Sequence, residues 1–132
     1  MKPVDQDRFH DKEAGTRGNC MQAAVASLLG LPLADVPDFL EARDRGSHEE
    51  LALGYWLEGL GFDMIRLPGN HCPDAYYLAS GPASRGVHHM VVMKAGELAH
   101  DPHPSRAGLL KADHVYVLVP MRPADALKGM AP

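Results

Sequence analysis

Gly18-Asn19-Cys20-Met21-Gln22-Ala23-Ala24-Val25-Ala26-Ser27-Leu28-Leu29-Gly30 is the stretch from which the rest of the chain is read. From Cys20 to Leu29 the residues suit a helix, and Gly30 with Pro32 beyond it closes the run. Met21, Ala24, Val25 and Leu28 share one face at helical spacing, while Ala23, Ala26 and Leu29 leave little polar surface elsewhere. A helix that is apolar almost all round belongs in the middle of a domain. Asn19 stands in the N-cap position, which puts Cys20 in the first turn.

Upstream, residues 1–18 read as an irregular lead-in, polar and charged, with Gly15 and Gly18 as breakers. Downstream, a short helix is expected over Leu33 to Arg43. A further helix is expected from Ser47 to Leu60, with Ser47 and Glu50 spaced as a capping box. The texture then changes. Phe62 to Leu67 alternates apolar and polar residues with period two, the signature of a strand. Ala75–Ala79, His89–Lys94, Glu97–His100 and Val115–Val119 are the other expected strands, with Ala95-Gly96 as a hairpin turn. Pro68–Asp74 and Ser80–Gly86 are turn-rich loops, and residues 120–132 form a proline-containing tail expected to lie loose. Helices first and an antiparallel sheet after them make an α+β pattern.

The chain has 132 residues, 45% hydrophobic and 23% charged, which suits one domain with a real core. Its longest mostly apolar stretch, Met21 to Leu33, is too short and too interrupted to span a bilayer. The N-terminus has no apolar core of the secretory kind, so a cytoplasmic protein is expected. A net charge of −4 without a run of Lys or Arg argues against a nucleic-acid partner. The two cysteines, Cys20 and Cys72, are expected to be reduced thiols in that compartment.

Three residues carry the candidate chemistry. Cys20 falls at a helix N-terminus, where the dipole and unpaired amides favour a thiolate and can donate to an oxyanion. His89 opens a strand and can serve as base; His88 beside it must point to the opposite face. Asp101 follows the hairpin partner strand. A turn centred between Ala95 and Gly96 sets His89 opposite about residue 102, so Asp101 comes within one residue of it and can fix the imidazole tautomer. Each signal has a bland reading as well: a buried structural Cys, a polar loop-to-strand junction, and an Asp-Pro turn.

The order of Cys at the start of a central helix, His at a strand start and Asp on the next strand resembles the papain-like cysteine peptidase superfamily. More narrowly, His89-Met90-Val91-Val92 followed by Asp101-Pro102 resembles the bacteriocin leader-processing (double-glycine) peptidases, with Met90 where that family has an aromatic residue. Gly18-Asn19-Cys20 through Val36-Pro37-Asp38-Phe39, with His100-Asp101-Pro102-His103-Pro104-Ser105, is similar to small uncharacterised proteins of bacteria and phages. The resemblance implies a papain-like fold and a hydrolase acting on an amide, isopeptide or thioester bond of a peptide, protein or small amide. It also implies an oxyanion hole made by the Cys20 amide and an upstream Gln. Gln6 is the only Gln before Cys20, 14 residues ahead of it. No cofactor and no metal is implied.

Two other readings stand beside this one. A papain-like fold that binds without cutting would keep the same residues. Eight histidines suggest structural zinc, with a two-residue spacer between His100 and His103 and His71, Cys72, His88 and His114 as further ligands. Yet no C-x-x-C pair is present. Tyr55 and Trp56, at helical spacing with Leu53, Leu57 and Leu60, are expected in the core. Loops Pro68–Asp74 and Ser80–Gly86 are expected to border the cleft, with Cys72 near it. The substrate and the oligomeric state are not written in the sequence.

Overall fold

A computed structural model describes residues 1–40 and 48–122. Helix α1 spans Cys20–Leu29, and Gly30 closes it in the left-handed conformation at φ 70°, where a side chain would be strained. Of the helix expected over Leu33 to Arg43, the first part is a single 3-10 turn, Leu33–Asp35, and Leu40 is helical again. Val36, held extended ahead of Pro37, stops propagation of the turn, and residues 41–43 of that expectation lie outside the described part. Helix α2 runs Glu49–Gly59. Ser47, half of the expected capping box, is also outside the described residues, and the Glu50 carboxylate bonds elsewhere, to Tyr116 and Arg66.

The strands are β1 Phe62–Pro68, β2 Tyr76–Pro82, β3 His88–Lys94, β4 Glu97–His100 and β5 His114–Pro120. They form an antiparallel sheet in the order β1-β5-β2-β3-β4. Helices precede an antiparallel sheet, so the architecture is α+β. Ser80–Pro82, read from sequence as loop, extends β2, because its backbone pairs with His88–Met90.

One sheet face, with Leu78, Met90, Val92 and Tyr116, packs on Ala24, Val25 and Ala26 of α1 and Leu53 and Leu57 of α2. The small side chains of α1 let it lie close against β3 and β2. Tyr77, Ala79, Val91 and Val115 form a smaller core on the other face. β2 and β3 are therefore buried on both sides, which explains their nearly continuous apolar runs. Trp56 sits at the core margin, edge-on to Phe39, but Tyr55 is 65% exposed. Residues 53, 57 and 60 already fill the inward stripe of α2, and Tyr55 falls on its outer side.

The loop from Asp101 to Asp113 crosses the second face. Gly81 is the crossing point: a Cβ there would stand 2.0 Å from the Lys111 carbonyl oxygen. Across the first half of the chain, the lead-in has no helix or strand beyond an isolated bridge between Asp11 and Thr16. It is nevertheless tied down by bonds from Lys2 N to Ser27 O, Val4 N to Ser27 Oγ and Gln6 N to Pro102 O.

Candidate active site

α1, β3 and the 101–113 loop all begin at one end of the sheet, and there Cys20, His89 and Asp101 come together. His88 is exposed and His89 buried, as strand alternation requires. His89 Nε2 donates to Asp101 Oδ1 at 2.6 Å, and both side chains are almost wholly out of water. That bond assigns the proton to Nε2 and leaves Nδ1 for the thiol. Cys20 lies within hydrogen-bonding reach of the imidazole.

A β-bulge sets the alignment of His89 with Asp101. Lys94 pairs with Glu97 and Met93 with Leu98, but Val92 pairs with His100, so Ala99 is an extra residue in β4. Continuing that register sets Asp101 opposite Val91, on the same face as His89. Without the extra residue Asp101 would fall opposite Met90 and point through the sheet, since a slip of one residue reverses every side chain. The level pairing expected from the turn centre is thus off by one place, and the difference is what aims the carboxylate.

Asp101 accepts two further bonds, from His103 N to Oδ1 at 2.9 Å and from Gly108 N to Oδ2 at 2.8 Å. Burial alone would raise its pKa. The donors His89, His103 N–H and Gly108 N–H outweigh burial and hold the carboxyl well below the usual carboxylate range. For His89, burial favours the neutral ring, but the bonds to Asp101 and Cys20 prevail and raise it to about 9.

Asn19 does not cap α1. Its side chain turns back to the lead-in: Oδ1 accepts from Asp7 N and Arg8 N, while Nδ2 donates to Asp7 Oδ1 and Gln22 Oε1. The first-turn amides of α1, that of Cys20 among them, receive no bond from it. Gln6 is buried beside this turn. Its Nε2 donates to Arg8 O at 2.8 Å, and a Cβ on Gly18 would meet Nε2 at 2.9 Å. Two residues before the nucleophile, only glycine leaves room for that amide. Gln6 Oε1 has no partner among the described residues.

Sequence reasoning missed the ties around these groups. Arg106 forks onto Asp5, Nη1 to Oδ1 at 2.6 Å and Nη2 to Oδ2 at 2.8 Å. Nη1 also donates to the Asp101 carbonyl at 2.6 Å. The guanidinium holds the Asp5 carboxyl below its ordinary value. No local pattern announces a pair 101 residues apart.

The remaining histidines have separate places. His100 Nε2 donates to Val4 O at 2.9 Å and lies 3.3 Å from Asp5 Oδ1. His103 Nδ1 accepts from Ser105 N at 3.0 Å, which puts the His103 proton on Nε2, and its ring stands edge-on to His89 with centroids 6.3 Å apart. His71 is exposed and bonds to Pro68 O, and His114 opens β5 opposite Pro68 and Ser80. Among the described residues, no three of His, Cys, Asp and Glu converge as a metal site would require.

Both cysteines are free thiols. Cys72 is not near Cys20: it packs beside Gly96, at the opposite end of β3 from His89. It lines a separate hollow of about 380 Å³ on the second sheet face with Tyr77, Met93 and Leu98. The Pro68–Asp74 loop goes with it, because β2 and β3 are antiparallel and Tyr76 pairs with Lys94. Of the two expected loops, the one that ends in the turn at 83–87 lies at the His89 end, and there Arg85 reaches Ser105 Oγ. No helix among the described residues is long and apolar enough to cross a membrane. No family model, curated protein or solved structure matches the chain.

Proposed function

We propose that this chain is a papain-like cysteine hydrolase, acting on an amide, isopeptide or thioester bond of a peptide, protein or small amide. One observation carries the reading: a buried imidazole bonded at 2.6 Å to a buried carboxylate through one nitrogen, with a cysteine thiol in reach of the ring. A solvated His-Asp pair is ordinary; a buried one beside a thiol at a helix start is the arrangement of an activated nucleophile. The expected order of the papain-like fold is in keeping with it, since the nucleophile opens the buried helix and the base opens a strand of the antiparallel sheet.

In this mechanism Cys20 gives its proton to His89, and the thiolate attacks the carbonyl carbon. The oxyanion so formed is held by the Cys20 N–H and by the second Nε2 hydrogen of Gln6, the first being taken by Arg8 O. The imidazolium, stabilised by Asp101, protonates the leaving amine or thiolate as it departs and so returns to the neutral ring. Neutral His89 then takes a proton from water, which hydrolyses the thioester and restores the thiol. A cytoplasmic setting would keep both thiols reduced.

The test is turnover of a panel of peptidyl amides, isopeptides and acyl thioesters by wild type and Cys20→Ala. We expect release of the acyl product by wild type alone. Turnover that survives in Cys20→Ala, with the fold intact by circular dichroism, contradicts the assignment.

A further inference from the structure

We propose that Asp5 and Arg106 are positioning residues, whose ion pair latches the lead-in across the Asp101 loop and so keeps the Gln6 amide at the oxyanion position. The inference rests on the cysteine hydrolase reading and goes beyond it, because neither residue touches a reacting atom. Residues 4–8 form a strap with bonded anchors on both sides of Gln6. On the α1 side, Asn19 Oδ1 holds the amides of Asp7 and Arg8, and Arg8 O accepts from Asn19 N. On the loop side, Gln6 N donates to Pro102 O, and Asp5 is forked by Arg106.

The two anchors differ in kind. The Asn19 side chain is buried, whereas the Asp5 and Arg106 side chains are about half exposed. Arg106 adopts φ 53°, a left-handed backbone conformation uncommon for a residue with a side chain. In that conformation one guanidinium bridges the Asp5 carboxylate and the Asp101 carbonyl. The same cation therefore ties the oxyanion strap to the residue that orients His89. Loss of the pair removes the one side-chain clamp from Arg106 on that side and leaves the strap to the backbone bond from Gln6 N to Pro102 O and to the bonds of Val4 with Ser27 and His100. Gln6 then loses registry with Gly18, while His89, Asp101 and Cys20 keep their own bonds.

This predicts a split between two reactions of Cys20. Alkylation by iodoacetamide forms an S–C bond and expels iodide, with no oxyanion. Acylation by p-nitrophenyl acetate forms an S–C bond through a tetrahedral oxyanion, breaks the ester C–O bond and expels p-nitrophenolate, leaving the acetyl thioester. Both are followed in full-length protein carrying Cys72→Ser. Asp5→Ala should lower acylation relative to alkylation about tenfold, a fraction of the 10²–10³-fold typical for an outright loss of one oxyanion donor. Asp5→Glu, which keeps the carboxylate, should restore most of the loss. In a Gln6→Ala background Asp5→Ala should add nothing.

Raising ionic strength from about 0.05 to about 1 M should lower the ratio in wild type and leave it level in Asp5→Ala, because an exposed pair is screened. An unchanged ratio in Asp5→Ala overturns the latch, as does an equal further loss in the Gln6→Ala background. Alkylation of Cys20 no faster than that of Cys72 in the wild-type chain would instead overturn the hydrolase reading, so the two failures are told apart.

Discussion

Asp101→Asn removes one negative charge from the buried pair and leaves the shape of the side chain. The amide oxygen can still accept from His89 and His103 N, but an NH₂ then faces the Gly108 N–H that donates to Oδ2 in the native chain. One charge-assisted bond is lost, and a donor is set against a donor, at a cost of about 2–4 kcal/mol near pH 6. The pH dependence is more diagnostic than the size. His89 rises from 6.5 to about 9 on folding, which amounts to about 3 kcal/mol of preference for the folded imidazolium. Because that pKa is raised, its contribution is complete below pH 6.5 and lost as pH climbs through about 9. The Asp101 pKa is depressed from 3.8, so its contribution is complete above that value and is lost only as acid approaches the folded one. The two describe one interaction, fullest between about pH 4 and 6.5. Urea unfolding of wild type and Asp101→Asn at pH about 6 and about 9.5 isolates it, since groups common to both cancel. The stability gap should shrink by about 1–2 kcal/mol at the higher pH, since the part of the His89 shift that comes from Cys20 is common to both chains and cancels. A gap of constant size would mean that no charged His89–Asp101 pair forms, and the reasoning would fail.

Other expectations follow from the same geometry. His89→Ala should slow Cys20 alkylation by iodoacetamide about 10²-fold or more at pH 6, whereas His88→Ala, altering an exposed residue, should change it less than twofold. Equal effects of the two would show that the strand faces are misassigned. Gly18→Ala should cost about 1–3 kcal/mol in urea unfolding, because its Cβ meets Gln6 Nε2 at 2.9 Å and the Arg8 carbonyl at 3.2 Å. A neutral effect there would mean that the strap yields freely.

Several elements are legible in the residues alone because a local rule specifies them. α1 ends where a left-handed glycine must end it, β1 alternates, and Ala95-Gly96 makes a two-residue turn with both residues at positive φ. Cys20, His89 and Asp101 are also visible, since each sits at an element boundary. The features that aim them are not. Ala99 looks like any strand residue, and its being an extra one follows only from the partner strand. Asn19 satisfies the local pattern of a cap, yet the incoming strap offers its side chain two amides held together, and tertiary contacts win. Loop composition points Cys72 toward the cleft, but it says nothing of which end of the sheet a loop occupies, and Cys72 lies at the other end, beside Gly96. Asp5 and Arg106 carry no signal at all until the fold brings residues 5 and 106 together.

The central claim is that Cys20 is activated by His89, and the rate of iodoacetamide labelling at Cys20 and Cys72, read peptide by peptide at pH 6, tests it most directly. Cys72 is exposed and far from His89, so it serves as the internal reference. The account predicts that Cys20, although less accessible, labels at least tenfold faster than Cys72 and loses that advantage in His89→Ala. A Cys20 that labels no faster than Cys72 in the wild type would contradict it.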